Sequence, residues 1–518
     1  MKRLAFLLLL SLMATLAVGQ RKVRLKHADM LKGGQRGEVR VDRVIGNVVF
    51  VQNNTTIYCD SAYFNRSRNQ VEAFGRIRIE DGDSVTVTAL SLVYDGNLKT
   101  AYLRKNVVFV KLATATLYTD FLDYIRPRGL AKYYNGGKLV DTTNTLTSRK
   151  GYYDVQTNLA SFKTDVVGES PEYTMLADTL QYQTRARIVY FRNLTRLIDK
   201  TPEKKTAVYR SGYYDTRKKF STLQSGDMSS PAYQMTGDEY ELDDNGKMYK
   251  AHGNVVMTSK EDKLIVYGDH GKYDKKTGIS KVYGNSYAAK ITDEQDTVFL
   301  SADTLISIES KDPRKKLLLA YHHVKIFKNN MQGRADSVVY LGADSTMFMF
   351  RQPALWTDGN QMTADSIRIR ITKKAIDKIY LVSNSFVVSQ DSMLNFNQIK
   401  GRKMVASFRK ENIHTVMVDG NGESIYYAID EKEEQTDSVL VKSRVTMGMN
   451  RIICSNMKIN FREGKVNNIS FYKMPDASFT PPHEIKEDQT RLKGFVWRAA
   501  ERPTREQVIT RKRPAKTP

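Results

Sequence analysis

The stretch Gly46-Asn47-Val48-Val49-Phe50 is followed by Ile57-Tyr58-Cys59-Asp60-Ser61-Ala62-Tyr63-Phe64 and then by Val71-Glu72-Ala73-Phe74-Gly75. This order predicts a Gly-Asn turn, a strand, a step of small residues plus Asp, an aromatic strand, a polar turn and a strand that runs into the next glycine. Small-Asp or Thr-Asp steps recur, mostly about 30 residues apart, at Asp60, Asp120, Asp178, Asp238, Asp269, Asp303, Asp336 and Asp365. A period of this length is typical of repeat arrays, so we expect an elongated chain of similar units.

Within each unit the apolar residues alternate with polar ones, as in Ile77-Arg78-Ile79 and Ile367-Arg368-Ile369. A period of two places one face of a strand inward and the other in water. Residues that tolerate positive φ mark turns at Tyr94-Asp95-Gly96-Asn97, Asp243-Asp244-Asn245-Gly246 and Gly420-Asn421-Gly422. The sequence therefore predicts an all-β repeat array of stacked antiparallel strands, with about a dozen units of ~30 residues.

The termini differ from the repeats. Residues 1–19 join Lys2 and Arg3 to an apolar run and a small-residue end, which is typical of a secretory signal peptide. We expect a repeat block over residues 20–199, further repeats over 200–474 and a basic, Pro-containing tail over 475–518 that docks locally around Trp497. Cleavage of the signal would remove Lys2 and Arg3 and lower the net charge from +24 to +22. For an exported protein such a charge favours anionic lipid, polysaccharide or a membrane surface as partner over nucleic acid.

Signatures of enzymes are missing: the sequence has no GxSxG, HExxH, P-loop or CxxC motif. We therefore predict a protein that is not an enzyme and needs no cofactor and no metal. The repeated Asp residues are expected to fasten turns or bulges rather than to bind calcium, because the loops lack an acid-dense pattern. Cys59 and Cys454 are expected to fill small-residue positions.

The Gly-Asn-Val starts at Gly46 and Gly253, the Ala-Asp step at Ala177-Asp178 and the signal peptide together resemble the OstA/LptA family of lipopolysaccharide-transport proteins. The resemblance is greatest to long OstA-like members from Bacteroidota-type bacteria and covers roughly residues 40–470. It implies a β-jellyroll, V-shaped in section, that holds acyl chains of lipopolysaccharide. It also implies a periplasmic location, possible contact with the outer membrane, and end-to-end strand pairing with other transport proteins. The chain has several times as many repeats as the short bridging members, so two or three shorter jellyrolls, or a scaffold, also remain open.

Two sets of candidate site residues follow. Alternation places one set inward, either as packed core or as a lipid groove: Val48, Phe50, Ile57, Ile77, Ile79, Val107, Phe109, Val255, Met257, Val324, Ile326, Ile367 and Ile369. The other set is basic and suits lipid A phosphates or a membrane surface: Arg185, Arg187, Arg314, Lys315, Lys316, Arg368 and Arg370.

Three functions are compatible with these features. The first is a periplasmic lipid-binding module of lipopolysaccharide transport, which carries acyl chains in an apolar groove and meets other transport proteins or the membrane surface. The second is an exported β-solenoid that binds anionic polysaccharide, and the third is a structural scaffold of the envelope.

Overall fold

The computed structural model describes residues 22–509 apart from 83–84, 112–114, 142–143, 201–204, 230–232, 260–262, 293–295, 309–311, 313–315, 373–374, 410–411, 437–438 and 463–464. The predicted signal peptide therefore lies outside the described residues. The chain forms two compact units that divide between Pro231 and Ala232. We call them unit 1 and unit 2.

The described residues are almost entirely antiparallel β-strand, which confirms the all-β prediction. The strands of unit 1 are β1 Arg24–His27, β2 Met30–Arg36, β3 Val39–Gln52, β4 Thr55–Asn65, β5 Gln70–Asp81, β6 Val85–Asp95, β7 Thr100–Lys111, β8 Ala115–Ile125, β9 Leu130–Asp141, β10 Asn144–Asp154, β11 Leu159–Glu169, β12 Tyr173–Gln183, β13 Ile188–Phe191, β14 Thr195–Asp199, β15 Thr206–Asp215 and β16 Phe220–Ser229.

The strands of unit 2 are β17 Tyr233–Asp243, β18 Met248–Ser259, β19 Leu264–Asp274, β20 Ile279–Ile291, β21 Thr297–Ile308, β22 Leu317–Lys328, β23 Met331–Leu341, β24 Thr346–Phe350, β25 Ala354–Thr357, β26 Asn360–Thr363, β27 Ser366–Thr372, β28 Ala375–Gln390, β29 Phe396–Arg409, β30 Asn412–Thr436, β31 Val439–Arg462, β32 Lys465–Tyr472 and β33 Asp476–Thr480. The described helices are short: 3-10 turns at Arg126–Arg128, Pro482–Glu484, Glu487–Gln489 and Ala499–Glu501, and the α-helix α1 at Arg505–Val508. No helix within the described ranges is both long and apolar enough to cross a membrane.

Most long strands are interrupted midway by a bulge. In unit 1 the bulges begin at Gly46, Gly75, Lys105, Asn135 and Thr164, which lie 29 or 30 residues apart and have positive φ. The strand register shifts at each of these points, for example between Ile45 and Val48 in β3. The bulges therefore carry the period that was read from the sequence and bend each strand into two parts.

Gly46-Asn47 was predicted to form a turn between strands, and this prediction is wrong. Both residues lie inside β3, with φ of 77° and 45°. The same holds for Gly253-Asn254 in β18 and for Gly420-Asn421 in β30. A bulge and a type I′ turn both need residues that tolerate positive φ, so the Gly-Asn pair could not distinguish them.

Asp60 has the fastening role expected from the sequence. Its carboxylate accepts a hydrogen bond from the backbone N–H of Arg76 at 3.0 Å, which ties β4 to the bulge of β5. The pKa of Asp60 is lowered, chiefly by this backbone bond and by the side chain of Arg76. Asp238 and Asp269 accept instead from the side-chain Nδ2 groups of Asn254 and Asn285 at 2.7 Å, so a carboxylate recurs beside successive bulges.

The bulges divide the strands of each unit into two half-sheets. In unit 1, half-sheet A includes the segments 61–65, 70–74, 91–95, 100–104, 121–125, 130–134, 150–154, 159–163 and 179–183, and half-sheet B includes 48–52, 55–59, 77–81, 85–89, 107–111, 115–119, 137–141 and 144–148. Rings from the two half-sheets touch: Phe50 lies 5.3 Å from Phe64, and Phe109 lies 6.1 Å from Tyr124, between ring centroids. The half-sheets thus enclose a shared core whose apex is formed by the bulges.

Unit 2 repeats this arrangement. Its half-sheet A includes 317–321, 337–341, 346–350, 366–372 and 403–409, and its half-sheet B includes 324–328, 331–335, 354–357, 360–363, 385–390 and 396–401. Val324 and Ile326 from half-sheet B share one buried cluster with Ile367 and Ile369 from half-sheet A.

The C-terminal segment, residues 482–508, packs against the outer face of half-sheet B of unit 2. Leu492 and Val508 are buried, and Phe495 and Trp497 pack against the cluster that contains Phe386 and Val388. The tail therefore docks over more of its length than the local Trp497 contact expected from the sequence. The basic run at residues 511–513 lies outside the described residues.

Candidate functional site

The inner face of half-sheet B in unit 1 carries a continuous apolar row. Phe50 pairs with Ile57, Ile57 with Ile79, and the row continues across neighbouring strands through Val87, Phe109, Leu117 and Leu139. Alternation had placed Phe50, Ile57, Ile79 and Phe109 inward, and all four are buried. The row exists because every second residue of each strand faces the same side.

The other inward candidates are also located inside the units. Val48, Ile77 and Val107 are buried in half-sheet B of unit 1. In unit 2, Met257 is half-buried, and the buried members are Val255, Val324, Ile326, Ile367 and Ile369. Seven candidates thus lie on neighbouring strands of unit 1, and four of the six in unit 2, Val324, Ile326, Ile367 and Ile369, share one buried cluster that does not include Val255 or Met257.

Half-sheet A supplies a second inner row, which the sequence analysis missed. Large and small residues alternate across its paired strands, in the order Tyr94, Ala101, Tyr124, Ala131, Tyr153, Ala160 and Tyr182. The signal was present as tyrosines spaced 29 or 30 residues apart. Residue type alone did not reveal it, because other tyrosines, such as Tyr58, Tyr102 and Tyr118, are exposed on outer strand faces.

We call the end of the fold opposite the bulges the mouth. There the tyrosine hydroxyls of this row donate hydrogen bonds to half-sheet B. Tyr94 donates to Gln52 Oε1 at 2.6 Å, Tyr124 donates to Asp81 Oδ2 at 2.8 Å, and Tyr182 donates to Asp141 Oδ2 at 2.7 Å.

Further hydrogen bonds lie beside these tyrosine contacts. Gln52 Nε2 donates to the backbone oxygen of Gly96 at 2.8 Å, and Arg126 Nε donates to Asp81 at 2.7 Å. Lys111 Nζ donates to Asn158 Oδ1 at 2.7 Å and lies over the ring of Tyr153. We call the hydrogen bonds made by Gln52, Asp81, Lys111 and Asp141 the cross-mouth seam.

Burial sets the electrostatics of the seam. It raises the pKa of Tyr94 to about 12, because ionisation would place a charge in a site that is shielded from water. Burial and the neighbouring Asp81 raise the pKa of Tyr124, and burial with the hydrogen bond to Asp141 raises that of Tyr182. The hydroxyls are therefore neutral hydrogen-bond donors at physiological pH.

A small apolar cavity lies between the two rows of unit 1. Its volume is about 30 Å³, and its lining includes Phe109, Leu117, Leu139, Tyr153 and Phe162. This is room for about one water molecule. An acyl chain can enter only if the half-sheets move apart and exchange part of their mutual contact for contact with the chain.

The basic candidates do not form one cluster. Arg185 and Arg187 are exposed on the turn between β12 and β13 in unit 1. In unit 2, the guanidinium of Arg368 stacks on Tyr380 at 3.9 Å and Arg370 Nε donates to Asp377 at 2.8 Å. Lys316 is exposed, whereas Arg314 and Lys315 lie outside the described residues. Of these groups, Arg185, Arg187 and Lys316 offer the most accessible charge.

Within the described ranges no group of three or more His, Cys, Asp or Glu side chains is arranged to hold a metal ion. His322 and His323 occupy the two positive-φ positions of a bulge rather than a regular strand. They approach different carboxylates, at 3.2 Å from Asp336 and 2.8 Å from Asp303. The two imidazoles therefore act as bulge fasteners in place of Asn.

Comparison with known proteins gives one family. Residues 20–178 match the model of the OstA-like protein family. This matched segment contains the residues of the cross-mouth seam up to Asp141 and most of the two inner rows. This match confirms the resemblance read from the repeated motifs for that segment. No curated protein matches the chain.

Among solved structures, the chain is similar to LptH of Pseudomonas aeruginosa, which is described as the LptA-homologous periplasmic component of the conserved lipopolysaccharide transport device. The sequences are 16% identical, the alignment covers 23% of this chain and 82% of that chain, and the TM-score is 0.21. The fold assignment above rests on the strand pairing of this chain itself.

Proposed function

We propose that this chain, which is OstA-like over residues 20–178, is an exported periplasmic module that carries acyl chains of lipopolysaccharide between its half-sheets. The observation that carries the proposal is the pair of facing inner rows in unit 1, closed at the mouth by the cross-mouth seam. Apolar packing alone would give a permanent core, whereas a seam of hydrogen bonds can be exchanged with water when the mouth opens.

The energies permit such an exchange. A net value of about 1 kcal/mol for each hydrogen bond puts the cost of opening the cross-mouth seam at on the order of 5 kcal/mol. Burying one CH₂ group contributes about 0.8 kcal/mol, so roughly six or seven methylenes offset that cost. A single long acyl chain therefore suffices, and no catalytic group, cofactor or metal is required.

Partners follow from the same proposal. The phosphates of lipid A, or an anionic membrane surface, would meet exposed basic residues such as Arg185, Arg187 and Lys316. Strand β2 is exposed along its whole length and pairs with β3 through one edge, which supports end-to-end pairing with another transport protein.

Depletion of the protein in cells tests the proposal against the scaffold alternative. We expect lipopolysaccharide to accumulate at the inner membrane, and the wild-type chain and Tyr118→Ala, an outer-face control, to restore export. Ala160→Leu adds a side chain to the cavity and should restore export less well while folding normally by circular dichroism. Disturbed envelope shape with undiminished lipopolysaccharide export would instead support the scaffold and contradict transport.

A further inference from the structure

The outer face of half-sheet A in unit 1 presents exposed aromatic rings among basic side chains. Across β7 to β11, cross-strand neighbours form one row of Tyr102, Asp123, Lys132, Tyr152 and the buried Ser161, and a second row of Arg104, Phe121, Tyr134, Lys150 and Lys163, in which the rings of Phe121 and Tyr134 lie 5.8 Å apart. We call these ten residues the aromatic-basic platform. None of them contributes to the inner rows, and the proposed lipid path does not use them.

The aromatic rings of the platform are accessible. Tyr102, Tyr134 and Tyr152 are 36%, 40% and 36% exposed, which is high for side chains of this size. Neighbouring strands lie about 4.8 Å apart, so the rings on β7, β9 and β10 extend over roughly 15 Å of flat surface. That surface is long enough for several consecutive sugar rings to lie against it.

Basic groups hold and flank these rings. The guanidinium of Arg104 lies 5.4 to 6.0 Å from the ring centroids of Phe121, Tyr134 and Tyr102, and its Nη2 donates to the Tyr134 hydroxyl at 2.8 Å. Arg104 is also paired with Asp123 at 2.9 Å. The ammonium of Lys163 lies 5.6 Å from the ring of Tyr152. The rings are thus fixed in orientation, which lowers the entropy lost when a ligand stacks on them.

The charge of the platform indicates the sign of its ligand. Lys132, Lys150 and Lys163 are exposed, and the one carboxylate of the two rows, Asp123, already pairs with Arg104. An excess of ammonium groups beside flat rings is complementary to a ligand that carries both anionic groups and apolar ring faces. The rows contain no aliphatic side chain that could insert among lipid tails, so they do not have the composition of a membrane-inserting surface.

We propose that the aromatic-basic platform binds a polysaccharide chain that carries carboxylate or phosphate groups. The C–H faces of its sugar rings stack on Tyr102, Tyr134 and Tyr152, and its anionic groups meet Lys132, Lys150 and Lys163. This binding is independent of the acyl-chain path, because the platform and the inner rows occupy opposite faces of half-sheet A.

Binding of polygalacturonate to the purified full chain tests the proposal, with neutral dextran as the uncharged comparison. Tyr134→Ala with Tyr152→Ala should raise the Kd for polygalacturonate at least ~10-fold. Tyr58→Ala with Tyr118→Ala is the matched control, because both tyrosines are exposed on the outer face of half-sheet B, and should change the Kd less than about twofold. Lys150→Gln with Lys163→Gln should weaken binding and flatten its salt dependence.

Several results would overturn the proposal. One is that the full chain does not bind polygalacturonate at low salt. The others are that the platform and control variants lose the same affinity for polygalacturonate, or that dextran binds as tightly as polygalacturonate. In a further outcome, the platform variants lose binding to phosphatidylglycerol vesicles while they keep binding to polygalacturonate. That result would assign the surface to a membrane instead. Circular dichroism verifies that the variants are folded, and unchanged capture of lipopolysaccharide by them separates this proposal from the transport function.

Discussion

In unit 1, the outer face of half-sheet B exposes side chains such as Tyr58 and Tyr118, whereas in unit 2 the same half-sheet buries its outer face under the C-terminal segment. There Phe386, Val388 and Ile425 form a second cluster with Leu492. The backbone pattern of bulged strands is shared, so the difference comes from the outward side chains. A repeat array can therefore leave an outer face exposed in one unit and brace the corresponding face of another with a covering segment.

Removal of the C-terminal segment after Pro481 should have the greatest effect on the stability of unit 2. Several large apolar side chains lose their cover, and each contributes about 1.5–3 kcal/mol when buried, so unit 2 should lose on the order of 5 kcal/mol or more of stability. The truncation removes Trp497 and leaves buried Trp356, whose cross-strand neighbours Gln332 and Gln361 bond to the segment. The emission of Trp356 should therefore shift to longer wavelength.

Hydrogen exchange across unit 1 provides the control for this truncation. The amides of β5 to β8 should keep their protection, because the segment covers unit 2. Equal loss of protection in both units would mean that the C-terminal segment does not act as a local brace.

Two buried glutamines offer a matched pair of smaller changes. Gln398 Nε2 donates to Thr490 O at 2.8 Å and Gln398 Oε1 accepts from Leu492 N at 2.8 Å, whereas Gln52 joins the cross-mouth seam. Gln398→Ala leaves two backbone groups of the segment without partners and should cost about 3 kcal/mol, with faster exchange at the Leu492 amide. Gln52→Ala should leave tryptophan emission unchanged, and a shift as large as that of Gln398→Ala would contradict the assignment.

The seam also predicts a pH dependence in unit 1. The pKa of Tyr94 is about 12 in the folded chain against an ordinary value near 10, so the unfolded chain loses this proton first. The stabilisation is complete below pH ~10 and decreases as the pH rises toward 12, by on the order of 2–3 kcal/mol. Denaturant unfolding at several pH values measures this slope, which Tyr94→Phe should reduce. An unchanged slope in that variant would assign the alkaline loss to other groups.

Removal of a single tyrosine hydrogen bond from the seam should change the stability of unit 1 the least. Tyr124→Phe removes the bond to Asp81 and should lower stability by about 1–1.5 kcal/mol, while the apolar ring keeps its packing. If the seam controls entry, this variant should take up lipid faster than the wild type. Slower uptake would show that the seam does not restrain the mouth.

How far the sequence anticipates these differences depends on the kind of contact. The alternation in Ile77-Arg78-Ile79 was sufficient to predict one buried face, and the ~30-residue period matches the spacing of the bulges. The run Phe386-Val387-Val388 breaks the alternation and is typical of burial on both faces. It could have indicated a covering segment but not which segment supplies it.

Other features had no local signal. Gln361 and Gln398 are buried because they bond the backbone of residues more than 90 positions away. Glutamine is usually exposed, so composition predicts the opposite. The cross-mouth seam likewise joins residues 41 to 47 positions apart, and its pairing depends on the bend at each bulge.

Adjacent residues on one strand can distinguish entry of acyl chains into the interior of unit 1 from binding outside it. Leu117 is buried beside the cavity, and Tyr118 is 46% exposed on the outer face. A photo-crosslinking residue at 117 in the full chain should capture purified lipopolysaccharide, more strongly in the Tyr124→Phe background, whereas one at 118 should capture little. Capture at 118 that equals or exceeds capture at 117 would contradict the account.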